Sequence, residues 1–446
     1  MTRLKDRNNL PETFLLLLVS YALFYWDLIP GLSTYTRPNQ DFVCYISVAS
    51  ITATTDEGDM ATVSALCLGV SGRPWRRLVH NAAGVARAVA VAHTMGLNHD
   101  CSGWNIKDLE KCMRWKVWWV VLILDQWSNF AQGTPTYISK GQYDVPLPTM
   151  DILLTRKRAQ STKHIRAAEV YLQLCRLTEI LGDILPLIYQ IHTPTNIHNT
   201  ASRLSGPNEV LDQWVDNLPH WLNMSDFHER PFVPGLANLQ LSYLSVRMLL
   251  RRIAWHDAIR TQSDKSCLSS LLSLCQTVAE NIVRRDLIAF WLPYNAQHFT
   301  SAVTLLLCCA LQTNNSSTRS KCMMGARTLV DSLHRHRNEN DWDLSELCLS
   351  QSEAVLKRME EALPRLLLNN TLTSIAGSPN IPDHDIEVSS RIVDDMNNGG
   401  TSVGYIGTED EEPTSLAALF PELFRDLSSE NFDVTQYDSM YSIFDS

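Results

Sequence analysis

The stretch GLNHDCSGWNIKDLEKCMRWKVWWVVLILDQWSNFAQGTPTYISKGQYDVPLP, from Gly96 to Pro148, decides how the rest of the chain is read. Gly96 is a helix terminator, because a residue without Cβ enters the left-handed region freely. Asn105 reads as the cap of the next helix, with Asp108 placed near its positive end. From Trp115 to Leu124 every side chain except Lys116 is apolar, which predicts a helix buried on all sides. The run is shorter than the roughly 20 apolar residues that a bilayer requires. Asp125 follows on the same face as Trp118, where a buried carboxylate needs donors, and Arg114 is the partner the sequence offers. Gly133-Thr-Pro135 then breaks the helix, and the prolines of Asp144-Val-Pro-Leu-Pro148 hold that segment extended.

This order resembles the middle homology region of fungal zinc-cluster transcription factors. In that family a Gly-Leu-His-Arg-Asp-like helix end and a Trp precede an Arg-rich turn and a Trp-Trp helix. An Asp, a Gly-Arg-Pro and an Asp-x-x-x-Pro segment follow. The matching positions here are Gly96, Leu97, Asp100, Trp104, Arg114, Trp118, Trp119, Asp125, Gly133, Pro135, Asp144 and Pro148. Asn98-His99 replaces the usual His-Arg, and Thr134 the usual Arg. The motif covers about residues 78–150, and helix content extends the resemblance to about 370. It implies an all-α regulator of RNA polymerase II genes, nuclear and not an enzyme, with homodimers or heterodimers among its expected assemblies. It also implies a region that restrains or relays activity, in some members in response to metabolites.

The family's DNA reader holds two zinc ions on six cysteines, four of them in Cys-x-x-Cys pairs, because tetrahedral thiolate sites need such clustering. None of the eleven cysteines here forms a Cys-x-x-Cys step. Cys308-Cys309 lies in an apolar helix and Cys267 and Cys275 are isolated, so core packing is the reading for all of them. An odd, scattered set also argues against a disulfide framework and for a reducing compartment. The chain is therefore expected to hold no cofactor or metal and to bind no DNA unaided. A gene start upstream of Met1, encoding the cluster, is an alternative explanation of its absence.

The net charge of −10 hides two unlike parts. Residues 378–446 carry 15 acids against Arg391 and Arg425, whereas the other 377 residues are nearly neutral at +3. Three segments follow: an apolar helix with an irregular stretch over 1–77, the helical body over 78–370, and a disordered acidic tail over 371–446. In the tail Leu416, Leu419, Phe420, Leu423 and Leu427 fall on one helical face, with Phe424 beside them. Phe432, Tyr437, Tyr441 and Phe444 then alternate with acids. Acid-aromatic interleaving is the composition of an activation segment, whose partners are coactivators with apolar grooves.

At the N-terminus, Arg3, Lys5 and Arg7 precede an apolar run from Phe14 to Trp26 with the outline of a signal sequence. No small-x-small cleavage site follows, so a core helix is the reading, and no membrane association is expected. Residues 30–75 look irregular. Helices are expected at Leu78–Gly96, Thr162–Gly182 (closed by Pro186), Ser205–Trp221 (kinked or broken at Pro219), Gly235–His256, Ser266–Trp291, Asn295–Thr313 and Thr318–Arg337, and from Asp343 onward. No alternating run predicts a sheet, so the class is an irregular all-α array.

The chemistry of an enzyme is missing: no phosphate loop, nucleophile elbow or His-Glu zinc helix occurs. Asp394-Asp395, the one Asp pair, lies in the tail. His334-Arg335-His336-Arg337 reads as a solvated helix C-terminus. Arg73, Arg76 and Arg77 with Trp75 suit a helix-entry loop or a nucleic acid equally, and His93 and His99 read as polar flanks of the Gly96 helix end. The alternative function is a helical small-molecule-binding protein or enzyme whose Trp-Trp helix lines a pocket.

Overall fold

The structure is a computed structural model that describes residues 12–28, 31–32, 34–54, 58–71, 78–154, 158–189, 204–222, 224, 232–260, 266–280, 291–313, 315–340 and 342–375. Among them there is no strand, in keeping with the all-α expectation. The chain divides into units 1–356 and 357–446; of the second, the described residues 357–375 are helical. The helices are α1 (Glu12–Ala22), α2 (Gln40–Thr54), α3 (Met60–Ser71), α4 (Leu78–Thr94), α5 (Asp108–Gln132), α6 (Met150–Leu153) and α7 (Thr162–Ile188). They continue with α8 (Ser205–Asp216), α9 (Leu236–Arg260), α10 (Ser266–Glu280), α11 (Asn295–Gln312), α12 (Ser316–Asn340) and α13 (Asp343–Ile375). No helix among the described residues is long and apolar enough to cross a membrane.

Helix α5 is the hub of the first unit. It packs against α3, α4, α6, α7 and α11. Its Trp118, Trp119 and Trp127 are fully buried, and Val121 to Asn129 are buried without a break. Burial on all sides holds for that stretch only, since Trp115, Lys116 and Val120 form a half-buried edge. Around the hub, α7 packs on α9, α9 on α11, and α11 on α12.

Four expectations need correction. Residues 30–75 are not irregular, because α2 and α3 occupy most of that span. Ser and Thr compete with helical backbone bonds in isolation, but here the hydroxyls are absorbed. Ser47 Oγ donates to Val43 O at 2.7 Å and Ser64 Oγ to Met60 O at 2.7 Å, one turn back in each helix. The starts are capped as well: Asn39 Oδ1 accepts from the Phe42 N–H at 2.9 Å, and Asp59 Oδ1 from the Thr62 N–H at 2.8 Å. The first apolar run is a core helix on one face only: Leu17 is buried among α2 and α3, while Leu15, Leu18 and Val19 are exposed.

Asn105 does not cap α5. The helix begins at Asp108 after Lys107, which makes no side-chain cap bond, and Asp108 and Glu110 occupy its positive first turn. Turns over 101–106 instead bring Lys111 Nζ to Ser102 O at 2.7 Å. Helix α7 runs through Pro186 to Ile188 rather than closing before it, with Ile184, Leu185 and Ile188 buried in the core. That burial offsets the single backbone bond that proline removes. At α8 the helix stops at Asp216, ahead of Pro219, the proline expected to kink or break it.

The caps give a direct check. Asn39→Ala and Asp59→Ala should each lower unfolding stability by about 0.5–2 kcal/mol, measured as a shift in urea midpoint. Ala49→Arg, on the exposed face of α2, keeps a strong helix former in place and should leave the midpoint nearly unchanged.

Candidate functional site

The residues singled out by the motif fall into one connected structure around α5. Both of its glycines end helices in the same way. Gly96, at φ 62°, donates its N–H to His93 O at 2.9 Å while the Leu97 N–H reaches Ala92 O at 2.9 Å. Gly133, at φ 69°, donates to Phe130 O at 3.3 Å while the Thr134 N–H reaches Asn129 O at 3.0 Å. This is the Schellman pattern, which satisfies the last free carbonyls of α4 and α5.

Arg114, buried in the first turns of α5, sends Nη2 to Met95 O at 2.8 Å and Gly96 O at 3.1 Å. A cation there meets the negative end of α4. Its guanidinium lies 4.7 Å from the centroid of the half-exposed Trp104 ring, a cation–π contact. Arg114 therefore serves α4, and its assignment as the partner of Asp125 is wrong.

Asp125 is fully buried and binds the backbone that returns after Pro135. Its Oδ1 accepts from the Tyr137 N–H at 3.0 Å and Asn129 Nδ2 at 2.8 Å, and its Oδ2 from the Ile138 N–H at 2.9 Å. Gln126 Nε2 donates to Ile138 O at 2.8 Å, and Thr134 Oγ1 to Asn129 Oδ1 at 2.7 Å. Burial pushes the Asp125 carboxyl up to about 6, against the pull of these donors. It is a structural anion with no base or nucleophile beside it among the described residues.

The Asp144–Pro148 segment is tied back to the end of α4. Asp144 Oδ1 accepts from the Asp100 N–H at 2.6 Å, the Asp144 N–H reaches Asn98 O at 3.1 Å, and Trp119 Nε1 donates to Pro146 O at 2.8 Å. Pro148 is buried, whereas Gly133, Pro135 and Asp144 are exposed. Trp118 lies between His93 and Tyr143, with ring centroids 5.7 and 5.6 Å away, and its buried Nε1 has no partner. Burial, and secondarily His99, lowers the pKa of His93 and keeps it neutral. Sequence reading missed Asn129, Gln126 and Thr134; the one signal available was Asn129 standing a single turn after Asp125.

A polar cleft of about 420 Å³ opens beside this structure, lined by Gln126, Lys140, Tyr143, Arg176, Glu179 and Asp183 among others. Lys140 pairs with Asp183 at 2.7 Å. Burial raises the Glu179 carboxyl, and Lys140 opposes the rise. The late basic cluster is engaged too: His334 pairs with Glu353, Arg337 with Glu346 at 3.6 Å, and the buried His336 ring meets Trp342 edge-on. No three His, Cys, Asp or Glu among the described residues could hold a metal. Burial pushes Cys275 and Cys308 up to about 12 and Cys322 to about 11, so these thiols stay protonated at neutral pH. The side chain of Cys267, the Arg73–Arg77 cluster and the acidic tail with Leu416 to Leu427 lie outside the described residues.

The fold and the motif together define a helical domain built on a pinned Trp-Trp helix. A family model, the fungal specific transcription factor domain, matches residues 2–216. That match begins well before residue 78 and so takes in α1 to α3. A transcriptional regulatory protein of Schizosaccharomyces pombe is 25% identical over 372 residues, covering 80% of this chain and 53% of that protein. A transcriptional activator protein of Saccharomyces cerevisiae is 22% identical over 317 residues, covering 62% and 32%. A transcriptional activator protein of Neurospora crassa is 26% identical over 190 residues, covering 41% and 20%. The chain thus spans between a fifth and about half of these relatives' lengths. No solved structure matches it.

Two substitutions probe the structure around α5. Trp118→Ala should cost about 3–5 kcal/mol by urea unfolding, and Trp118→Phe much less, because it also removes an unpaired buried N–H. Asp125→Asn should destabilise, since one amide N–H would face a backbone N–H. It should also remove a pH dependence. The folded carboxyl titrates near 6, above the ordinary value of about 3.9. The folded state therefore holds more protons between those values, and this residue's contribution declines as pH rises from about 4 to 6. Urea midpoints across that range should show the decline in wild type relative to Asp125→Asn; parallel curves would contradict it.

Proposed function

We propose that this chain is a regulator of transcription by RNA polymerase II in a fungus, with no catalytic role, acting in the nucleus. The match of residues 2–216 to the fungal specific transcription factor domain carries this reading, and the names of the relatives agree with it. In this reading the helical body, to about residue 370, is a regulatory scaffold, and the motif residues from Gly96 to Pro148 fix its shape rather than touch a ligand. DNA contact comes from a zinc cluster that none of the cysteines here can form, or from a dimer partner that has one. The acidic tail over 371–446 is the activating segment. Leu416, Leu419, Phe420, Leu423, Phe424 and Leu427 present an apolar face to a coactivator groove, while the surrounding acids keep that face solvated until it docks. Ordering such a segment on binding weakens its affinity and makes it depend steeply on a few side chains.

Fused to an unrelated DNA-binding domain, residues 408–446 should activate a reporter gene. Replacing Phe420, Leu423 and Phe424 by Ala should abolish activation, whereas neutralising Glu409 to Glu412 should only reduce it. A silent reporter with a well-expressed fusion would assign the tail to solubility instead.

A further inference from the structure

A second cleft, about 530 Å³ in volume, lies on the other flank of α5 from the polar one. Its walls come from six places in the fold: Leu18 of α1, Leu68 of α3, Val120 of α5, Tyr171 of α7, Asn238 of α9 and Leu292 ahead of α11. Most lining side chains are apolar, and the volume falls in the roughly 300–1,000 Å³ typical of small-molecule sites.

The polar groups in the wall are already satisfied or neutral. Asn238 donates to Tyr294 Oη at 3.2 Å and accepts from the Leu292 N–H at 3.1 Å and Asn295 Nδ2 at 2.6 Å. Ser64 is bonded within α3. Burial pushes the Cys67 thiol up to about 12 and raises the Tyr171 phenol well above its ordinary value, so both are uncharged. A peptide strand docked there would leave its own N–H and C=O groups without partners on these walls.

Lys116 stands apart. It is the one charged side chain among the described residues lining the cleft, and it is half-buried. It pairs with no carboxylate among the described residues, and the described lining contains no Asp or Glu. A lone ammonium beside an apolar cleft is the complement of a molecule with an apolar body and one anionic head.

We propose that this cleft is a binding site for a small amphipathic acid, a medium-length alkyl or aryl carboxylate, whose apolar part lies between α1, α3, α5 and α7 while its carboxylate pairs with Lys116. Such a ligand joins α1, the helix with one exposed apolar face, to the hub of the fold. Binding to the folded state alone also raises thermal stability by mass action.

The test uses the full chain, with decanoate and 1-decanol as probes, read by isothermal titration calorimetry and thermal melting. Decanoate should bind saturably at one site and raise the melting temperature. Lys116→Met should weaken decanoate by about tenfold or more, the effect of losing a charge-assisted bond, and leave decanol unchanged. Leu68→Trp, which fills the cleft, should abolish both; Val120→Phe does the same by another wall should Leu68→Trp fail to fold. Absence of saturable binding overturns the proposal, as does decanoate binding indifferent to Lys116→Met or to the filling variants. A dimer that the filling variants disrupt, without decanoate binding, would place a second copy in the cleft instead. Because heat and melting are read rather than transcription, this result stands or falls apart from the regulatory reading.

Discussion

Where α5 ends, the chain turns back along the helix it has just left and lands on a fully buried carboxylate. The N–H groups of Tyr137 and Ile138 belong to no sheet or helix, and buried backbone donors without partners are strongly unfavourable. The Asp125 carboxylate takes both of them, because its two oxygens offer about four acceptor positions and no competing donor. Asn129 takes up one remaining position, and Gln126 binds the Ile138 carbonyl in turn. The price of burying that anion is visible in its raised pKa. As a result the segment after Pro135 has a single path, and Tyr143, Pro146 and Pro148 arrive at fixed points over the α4–α5 junction.

The other end of the helix is held by the opposite charge. Arg114 gives its protons to Met95 O and Gly96 O, at the negative end of α4, and Trp104 covers its planar face. A cation is thus set on free carbonyls and an anion on free amides, as backbone polarity requires. Between the two, Trp118 and Trp119 span the distance, one through ring contacts and one through its bond to Pro146 O. The exposed motif positions, Gly133 and Asp144, serve these same connections, through a left-handed helix end and a bond to the Asp100 amide.

Much of this is legible in the amino-acid sequence alone. The Trp-Trp run announces a buried helix because so little that is polar interrupts it, and Gly96 and Gly133 announce helix ends because each can adopt positive φ. Two features are not legible, for physical reasons. The Ser- and Thr-rich α2 and α3 have weak intrinsic helix preference and depend on burial against α1 and on hydroxyls that bond one turn back. Their Asn39 and Asp59 caps are present in the sequence, but a cap is persuasive only beside a clear periodic run. The partner of Asp125 is also hidden. The nearest cation in sequence suggests a salt bridge, whereas the donors are backbone amides, which any residue can provide and no motif records.

The half-buried edge of α5 bears on how such a domain can respond to its surroundings. A helix edge that is half open to water would ordinarily carry polar residues, yet Val120 on this edge and the buried Val117, Ile123 and Leu124 behind it give the cleft an apolar wall, and Lys116 is the one charged side chain among the described residues that line it. On the other flank, Gln126 enters the polar cleft beside the Lys140–Asp183 pair. One rigid, doubly pinned helix therefore faces two chemically opposite recesses. Both recesses border the element that α3, α4, α7 and α11 all pack against. Close-packed interiors transmit strain rather than absorb it, so a change at the edge of α5 is felt by every helix that touches it.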